Sequence, residues 1–66
     1  MGEALTRAVG TARAGMLRAE VDEAVRSFRR ERYDQAARAL RGVLREAPGI
    51  AELHELLGLC LYRLGR

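Results

Sequence analysis

The chain has 66 residues, 48% of them hydrophobic, and its 12 basic and 9 acidic residues give a formal net charge of +3. A chain of this length forms one small domain at most, and its single cysteine excludes an internal disulfide framework. The longest apolar run, Leu59 to Tyr62, is far too short to cross a bilayer, and acidic residues dilute the positive field of the arginines. We therefore expect a soluble, cytoplasmic protein.

Residues 1–15 are predicted to be an N-terminal extension. Four apolar residues share one helical face, which favours a helix: Leu5, Ala8, Val9 and Ala12. Gly10 and Gly15 interrupt the pattern, because glycine costs a helix about 1 kcal/mol relative to alanine. Both a separate short helix and an irregular segment are compatible with this stretch.

A firmer helical period begins at Met16 and predicts a helix over residues 16–31. Its apolar residues fall within an arc of about 100° around the helix axis. They are Leu17, Val21, Ala24, Val25 and Phe28. This arc is out of phase with the N-terminal one, which predicts a break or bend near Gly15. One long helix with two apolar faces is the alternative.

Two more amphipathic helices are predicted, over residues 33–47 and 50–64. The apolar arc of the first spans about 140° and contains Ala36, Ala39, Leu40, Val43, Leu44 and Ala47. The arc of the second is as wide and contains Leu53, Leu56, Leu57, Cys60, Leu61 and Leu64. The turn Ala47-Pro48-Gly49 separates them, since proline disfavours α geometry in the preceding residue. The links between the last three helices are short, which makes consecutive helices antiparallel neighbours.

Gly58 lies beside the leucine face of the last predicted helix. A glycine inside a helix costs about 1 kcal/mol relative to alanine, so its presence favours close approach by another helix. We therefore expect a helix to pack against this side of residues 50–64.

The sequence offers little for metal binding or catalysis. His54 and Cys60 are the only soft ligands besides the methionines, whereas a structural zinc site needs about four ligands. Their side chains diverge by about 120° on a helix, and no acidic residue is placed to orient the histidine. We expect both to be packed residues, and we predict no enzyme activity, no metal site and no cofactor.

A shift of the sequence by 34 residues reveals weak self-similarity. It pairs Ala24 with Gly58, Phe28 with Tyr62, Arg29 with Arg63 and Arg32 with Arg66. A period of 34 with a helix-turn-helix unit is typical of tetratricopeptide repeats.

Several local motifs make the resemblance to the tetratricopeptide-repeat family more specific. Tyr33-Asp34-Gln35-Ala36 resembles the opening of that family's second helix, and Pro48 resembles its closing proline. Leu57-Gly58 and Leu61-Tyr62 resemble the core of the family's first helix. Leu40 and Val43 resemble its large and small packing positions. The resemblance covers residues 16–66, about one and a half repeats. It implies an all-α fold, an antiparallel helical hairpin array of three to four helices, and a fragment of a longer α-solenoid.

The family resemblance also implies a protein–protein interaction scaffold that binds a protein or peptide partner. Its concave surface would be lined here by Glu55, Leu59, Tyr62 and Arg63. The first helix departs from the family pattern, because its stripe of Val21, Val25 and Phe28 would face this concave surface. We expect either the segment from Leu5 to Met16 or another chain to cover that stripe.

Arg38, Arg41 and Arg45 form a basic strip on the helix at 33–47, and three more arginines cluster before it. A nucleic-acid-binding helical module is therefore the alternative function. A solvated helical surface is the preferred interpretation of the strip, because no aromatic residues are interleaved with the arginines for base stacking.

A homodimer is predicted from the apolar surface that so short an array leaves uncovered. The self-association surface would consist of Leu53, Leu56, Leu57, Leu61 and Leu64. Burial of a few hundred Å² of apolar surface at about 25 cal/mol per Å² gains several kcal/mol, comparable to the stability of a domain this small. Most soluble dimers are symmetric, so we expect the last helix to pack against its copy.

Overall fold

A computed structural model of the chain describes residues 2–65, and the side chain of Ala8 lies outside the described part. Four helices make up the fold: α1 (Gly2–Val9), α2 (Thr11–Arg29), α3 (Tyr33–Glu46) and α4 (Ala51–Arg63). They pack in chain order, α1 on α2, α2 on α3 and α3 on α4. Residues 2–65 contain no strand, so the prediction of an all-α array of antiparallel helices is confirmed. None of the described helices is both long and apolar enough to span a membrane.

The predicted break near Gly15 is wrong, because the chain breaks at Gly10. Gly10 has φ 87° and ψ 167°, a backbone conformation that is essentially restricted to glycine. Gly15 lies within α2, which begins at Thr11 rather than at Met16. The helical stripe of α2 accordingly begins at Ala14, which is buried, and the N-terminal stripe does not continue to Ala12 and Met16, which are exposed.

The turn between α2 and α3 is closed by two backbone hydrogen bonds. The amide of Arg32 donates to the carbonyl oxygen of Ser27 at 2.9 Å, and the amide of Glu31 donates to that of Phe28 at 3.0 Å. This pairing is a Schellman motif, in which the residue after the helix takes the left-handed conformation. Glu31 occupies that position with φ 61°. The motif reverses the chain and places α3 beside α2.

Helix α3 is the centre of the fold because it packs between α2 and α4. Of its predicted apolar face, five residues are buried: Ala36, Leu40, Val43, Leu44 and Ala47. Ala39, which was predicted on the same face, is half-buried. Ala37 was not predicted on this face, but it is buried. Contact with helices on two sides explains the rotated burial. The core formed in this way also includes Leu53 and Cys60 of α4.

Helix α1 covers part of the apolar stripe of α2 that was expected to need a cover. Leu5 is fully buried, as is Leu17, and Val21 is nearly so. Val25 and Phe28 are only half-buried. The N-terminal segment therefore completes the core within one chain over the first half of α2. Of the two expected covers, this segment or another chain, the structure shows the first.

An ion pair joins the start of α2 to the end of α3. Arg13 Nε donates to Glu46 Oε1 at 2.8 Å, and Arg13 Nη2 donates to Glu46 Oε2 at 2.5 Å. The hydrogen bond from Arg13 lowers the pKa of the Glu46 carboxyl, and the same hydrogen bond raises the pKa of Arg13. This bidentate contact holds together two helices whose sequences lie far apart.

The turn between α3 and α4 uses the imidazole of His54. His54 Nε2 lies 2.6 Å from the carbonyl oxygen of Pro48. Because a carbonyl oxygen only accepts, Nε2 is the protonated nitrogen in this contact. His54 is exposed, so the prediction that it is a packed residue is wrong. It reaches back over the turn from the first part of α4.

Candidate interaction surfaces

Helix α4 has one principal neighbour, α3, and this sets which of its side chains are exposed. Leu53 and Cys60 are buried against the core. The remaining leucines on this side of α4 are only half-buried: Leu56, Leu57, Leu61 and Leu64. Leu53 is 1% exposed and therefore does not belong to the surface predicted for self-association. The other four predicted residues lie where a partner could contact them.

The predicted partner contacts form an exposed ridge, which we call the α4 ridge: Glu55, Leu59, Tyr62 and Arg63. Leu59 is 41% exposed and Tyr62 is 77% exposed. At 100° per residue, Tyr62 points about 160° away from the buried Cys60. Tyr62 therefore lies on the face of α4 turned away from α3, and the ridge exposes two large side chains, Leu59 and Tyr62, to solvent.

One member of the α4 ridge is fixed by contacts within the chain. Arg63 Nη1 donates a hydrogen bond to Tyr33 Oη at 3.3 Å, and the guanidinium carbon lies 5.8 Å from the centroid of the Tyr33 ring. Tyr33 in turn meets Phe28 edge to face, with ring centroids 5.2 Å apart. These contacts link α2, α3 and α4 and give Arg63 a defined orientation beside Leu59 and Tyr62.

A second surface lies between α3 and α4, where two depressions run along the helices. One has a volume of about 430 Å³ and is lined by Asp34, Ala37, Arg38, Arg41, Arg45 and Leu64. The other has a volume of about 350 Å³ and is lined by Arg41, Leu44, Arg45, His54 and Leu57. The two adjoin at Arg41 and Arg45, which line both, and we call the pair of depressions the arginine groove.

The arginines of this groove have no acidic partner within the described part of the chain. Ion pairs there involve Arg7, Arg13, Arg18 and Arg26, and none involves Arg38, Arg41 or Arg45. Asp34 contributes one carboxylate at one end of the groove. The arginine groove is therefore basic along one wall and apolar along the other, where Leu57 and Leu64 lie.

The sequence predicted the arginine strip and the leucine face separately, but not that they meet. The strip belongs to α3 and the leucines to α4, and their relative rotation is set by how the two helices pack. Helical periodicity fixes positions around a single helix and carries no information on that rotation. The buried alanine at position 37 is the one sequence signal available, because it widens the apolar arc of α3 toward this side.

Gly58 was predicted to allow close approach by another helix, and within this chain that prediction is wrong. Gly58 is exposed, and a Cβ atom built on it meets no described atom within 4 Å. The space beside it is open.

The chemistry at Cys60 is that of a core residue. Burial raises the pKa of the Cys60 thiol, which keeps it protonated and unreactive at neutral pH. Within residues 2–65, no three His, Cys, Asp or Glu side chains are grouped to hold a metal ion.

Comparison with known proteins gives no relative from which to transfer a function. No family model, no curated protein sequence and no solved structure matches the chain.

Proposed function

We propose that the chain is a non-catalytic protein-interaction scaffold of the tetratricopeptide-repeat type, which binds a protein or peptide partner through the α4 ridge. The pair Leu59 and Tyr62 carries this proposal, because both large apolar side chains are exposed on one face of a folded helix. Tyrosine is enriched in the energetically dominant positions of protein interfaces. Single exposed apolar residues are common, but two neighbouring ones beside an oriented arginine form a coherent contact surface.

The order of the helices supports the type of scaffold. An α2–α3 hairpin is followed by α4 packed on α3, the order that the 34-residue self-similarity and the Pro48 turn lead one to expect. In such arrays the stacked units create an extended concave surface that is used for binding. The resemblance assigns the exposed residues of the α4 ridge to that surface.

A nucleic-acid-binding function is supported by one observation, the convergence of Arg38, Arg41 and Arg45 along one groove. The chemistry of the surroundings favours a protein partner. The apolar residues that line the groove are aliphatic, and two of the three aromatic residues, Phe28 and Tyr33, pack against each other elsewhere. Non-specific binding of single-stranded nucleic acid relies on aromatic side chains that stack on the bases.

Self-association through α4 stays a prediction. The half-buried leucines of α4 still leave apolar surface for a copy to cover. The stripe on α2 is partly covered by α1, so it supplies less reason to dimerise. Light scattering of the pure chain at tens of micromolar tests this directly: the mass of a dimer supports it, and the mass of a monomer contradicts it.

The proposed function is tested by affinity capture with three immobilised proteins. They are the parent chain, a ridge variant with Leu59→Ser and Tyr62→Ser, and a control with Met16→Ser, which replaces an exposed apolar residue of α2. We expect a set of proteins to be retained by the parent and the control but lost from the ridge variant. Circular dichroism should show all three folded, because surface substitutions change stability by about 0.5 kcal/mol or less. Equal retention by the ridge variant, or none by the parent, would contradict the proposal.

A further inference from the structure

We propose that the arginine groove is a second docking surface, distinct from the α4 ridge, and that it binds an amphipathic helix of a partner protein with acidic residues along one edge. The helix would place its apolar side chains against Leu44, Leu57 and Leu64. Its carboxylates would face Arg38, Arg41 and Arg45. An amphipathic helix lying in an apolar groove is a recurring mode of recognition.

The shape of the groove fits a helix. Its α3 wall runs from Asp34 to Arg45, which is a rise of about 16 Å at 1.5 Å per residue. That length matches about three turns of a bound helix. The two depressions adjoin, because Arg41 and Arg45 line both. The space beside Gly58 is open on the adjoining side of α4, so a helix backbone can approach closely there.

The charges of the groove select an acidic partner. Its three arginines follow one another at spacings of three and four residues, so they form one row along α3. Acidic residues at the same spacings on a partner helix form a matching row. Asp34 offsets one positive charge at the start of α3, so the attraction is strongest toward Arg41 and Arg45.

A second copy of this chain fits the groove less well. Two copies joined groove to groove would bring their rows of unpaired arginines together, and juxtaposed like charges oppose association. A copy that inserted its α4 ridge, with Glu55, would make a head-to-tail contact. Such a contact leaves a groove open at one end of the assembly unless the rotation closes a ring.

The proposal can be tested with a labelled peptide of about 18 residues, which forms about five helical turns. It carries leucine at every third or fourth position and glutamate along one flank, and a control peptide has glutamine in place of each glutamate. The groove variant is Arg38→Gln, Arg41→Gln and Arg45→Gln. The matched control, the turn variant, is Arg29→Gln, Arg30→Gln and Arg32→Gln, which removes the same number of charges between α2 and α3. Fluorescence anisotropy measures the dissociation constants, and circular dichroism checks that each variant is folded.

We expect the acidic peptide to bind the parent, and the groove variant to bind it about tenfold more weakly, because three exposed charge pairs are lost. The turn variant should bind within about threefold of the parent, and the glutamine peptide should bind the parent about tenfold more weakly than the acidic one. The single change Arg41→Gln should give an intermediate loss. The ridge variant should bind the acidic peptide as the parent does, so failure at the groove and failure at the ridge are separate results.

Four results would overturn the proposal. One is no binding of the acidic peptide at millimolar concentration, and another is equal binding by the groove and turn variants. The third is a single-stranded RNA oligonucleotide that binds the parent more tightly than the acidic peptide and is lost from the groove variant. The fourth is a dimer of the parent chain that the groove variant abolishes, since a second copy would then occupy the groove.

Discussion

Gly10 and Gly15 should respond in opposite directions to substitution by alanine. Gly10 adopts φ 87° and ψ 167°, and an alanine held in this glycine-only region costs about 1–3 kcal/mol. The reduced entropy of the unfolded chain returns about 0.4–1 kcal/mol. Gly10→Ala should therefore destabilise the fold by about 1–2 kcal/mol, the difference of these terms.

Gly15 provides the matched control because it lies inside α2. A Cβ atom at this position meets no described atom within 4 Å, so the methyl group has room. Gly15→Ala should stabilise the fold by about 0.5–1 kcal/mol through helix propensity. Urea denaturation followed by circular dichroism gives both free energies of unfolding. The two variants should differ by about 2 kcal/mol, or roughly 10 °C in the melting temperature of a domain this small.

Equal free energies of unfolding for Gly10→Ala and Gly15→Ala would refute the break at Gly10. That result would mean that α1 and α2 form one continuous helix, and that Leu5 is not held against the core as the structure shows. Loss of helical signal with Gly10→Ala, together with a gain from Gly15→Ala, would support a turn that only glycine can make.

Three other changes test the packing. Glu31→Gly should raise the free energy of unfolding by about 1 kcal/mol, because glycine takes the left-handed conformation at φ 61° without strain; an unchanged urea midpoint would contradict this. Leu40→Ala should cost about 2–5 kcal/mol, because Leu40 is fully buried, and a loss below 1 kcal/mol in the same assay would place it outside the core. Glu46→Gln should be less stable than the parent at neutral pH. Pairing with Arg13 lowers the pKa of Glu46 in the folded chain. The stability difference between the parent and Glu46→Gln should therefore persist above the ordinary glutamate pKa of about 4.3 and vanish as the pH falls through the lower folded pKa. A stability difference that does not change between about pH 7 and pH 3 would refute the contribution of the pair.

Helical periodicity predicted the parts of the fold that depend on one helix at a time. The faces of α3 and α4 follow from spacings of three and four residues, and Leu40, Val43 and Leu53 are buried as those spacings require. The proline at position 48 placed the turn before α4, because its effect on the preceding residue is local. These features need no knowledge of tertiary contacts.

The break at Gly10 and the arginine groove depend on more than local pattern. Both Gly10 and Gly15 interrupt the apolar pattern of the sequence. Only their backbone conformations show that Gly10 forms the turn and that Gly15 lies inside a helix. The Arg13–Glu46 ion pair joins residues 33 positions apart, and the groove joins α3 to α4. Contacts between helices set both, so a pattern along one helix could not predict them.

Binding at the α4 ridge is tested most directly by a nuclear magnetic resonance titration of the isotope-labelled chain with a protein retained in the capture experiment. The largest changes in amide chemical shift should fall on the α4 ridge, at Glu55, Leu59, Tyr62 and Arg63, while α1 and the first half of α2 stay unchanged. Largest changes in α1 and the first half of α2, with α4 unaffected, would contradict binding through α4 and place the partner on the opposite end of the helical array.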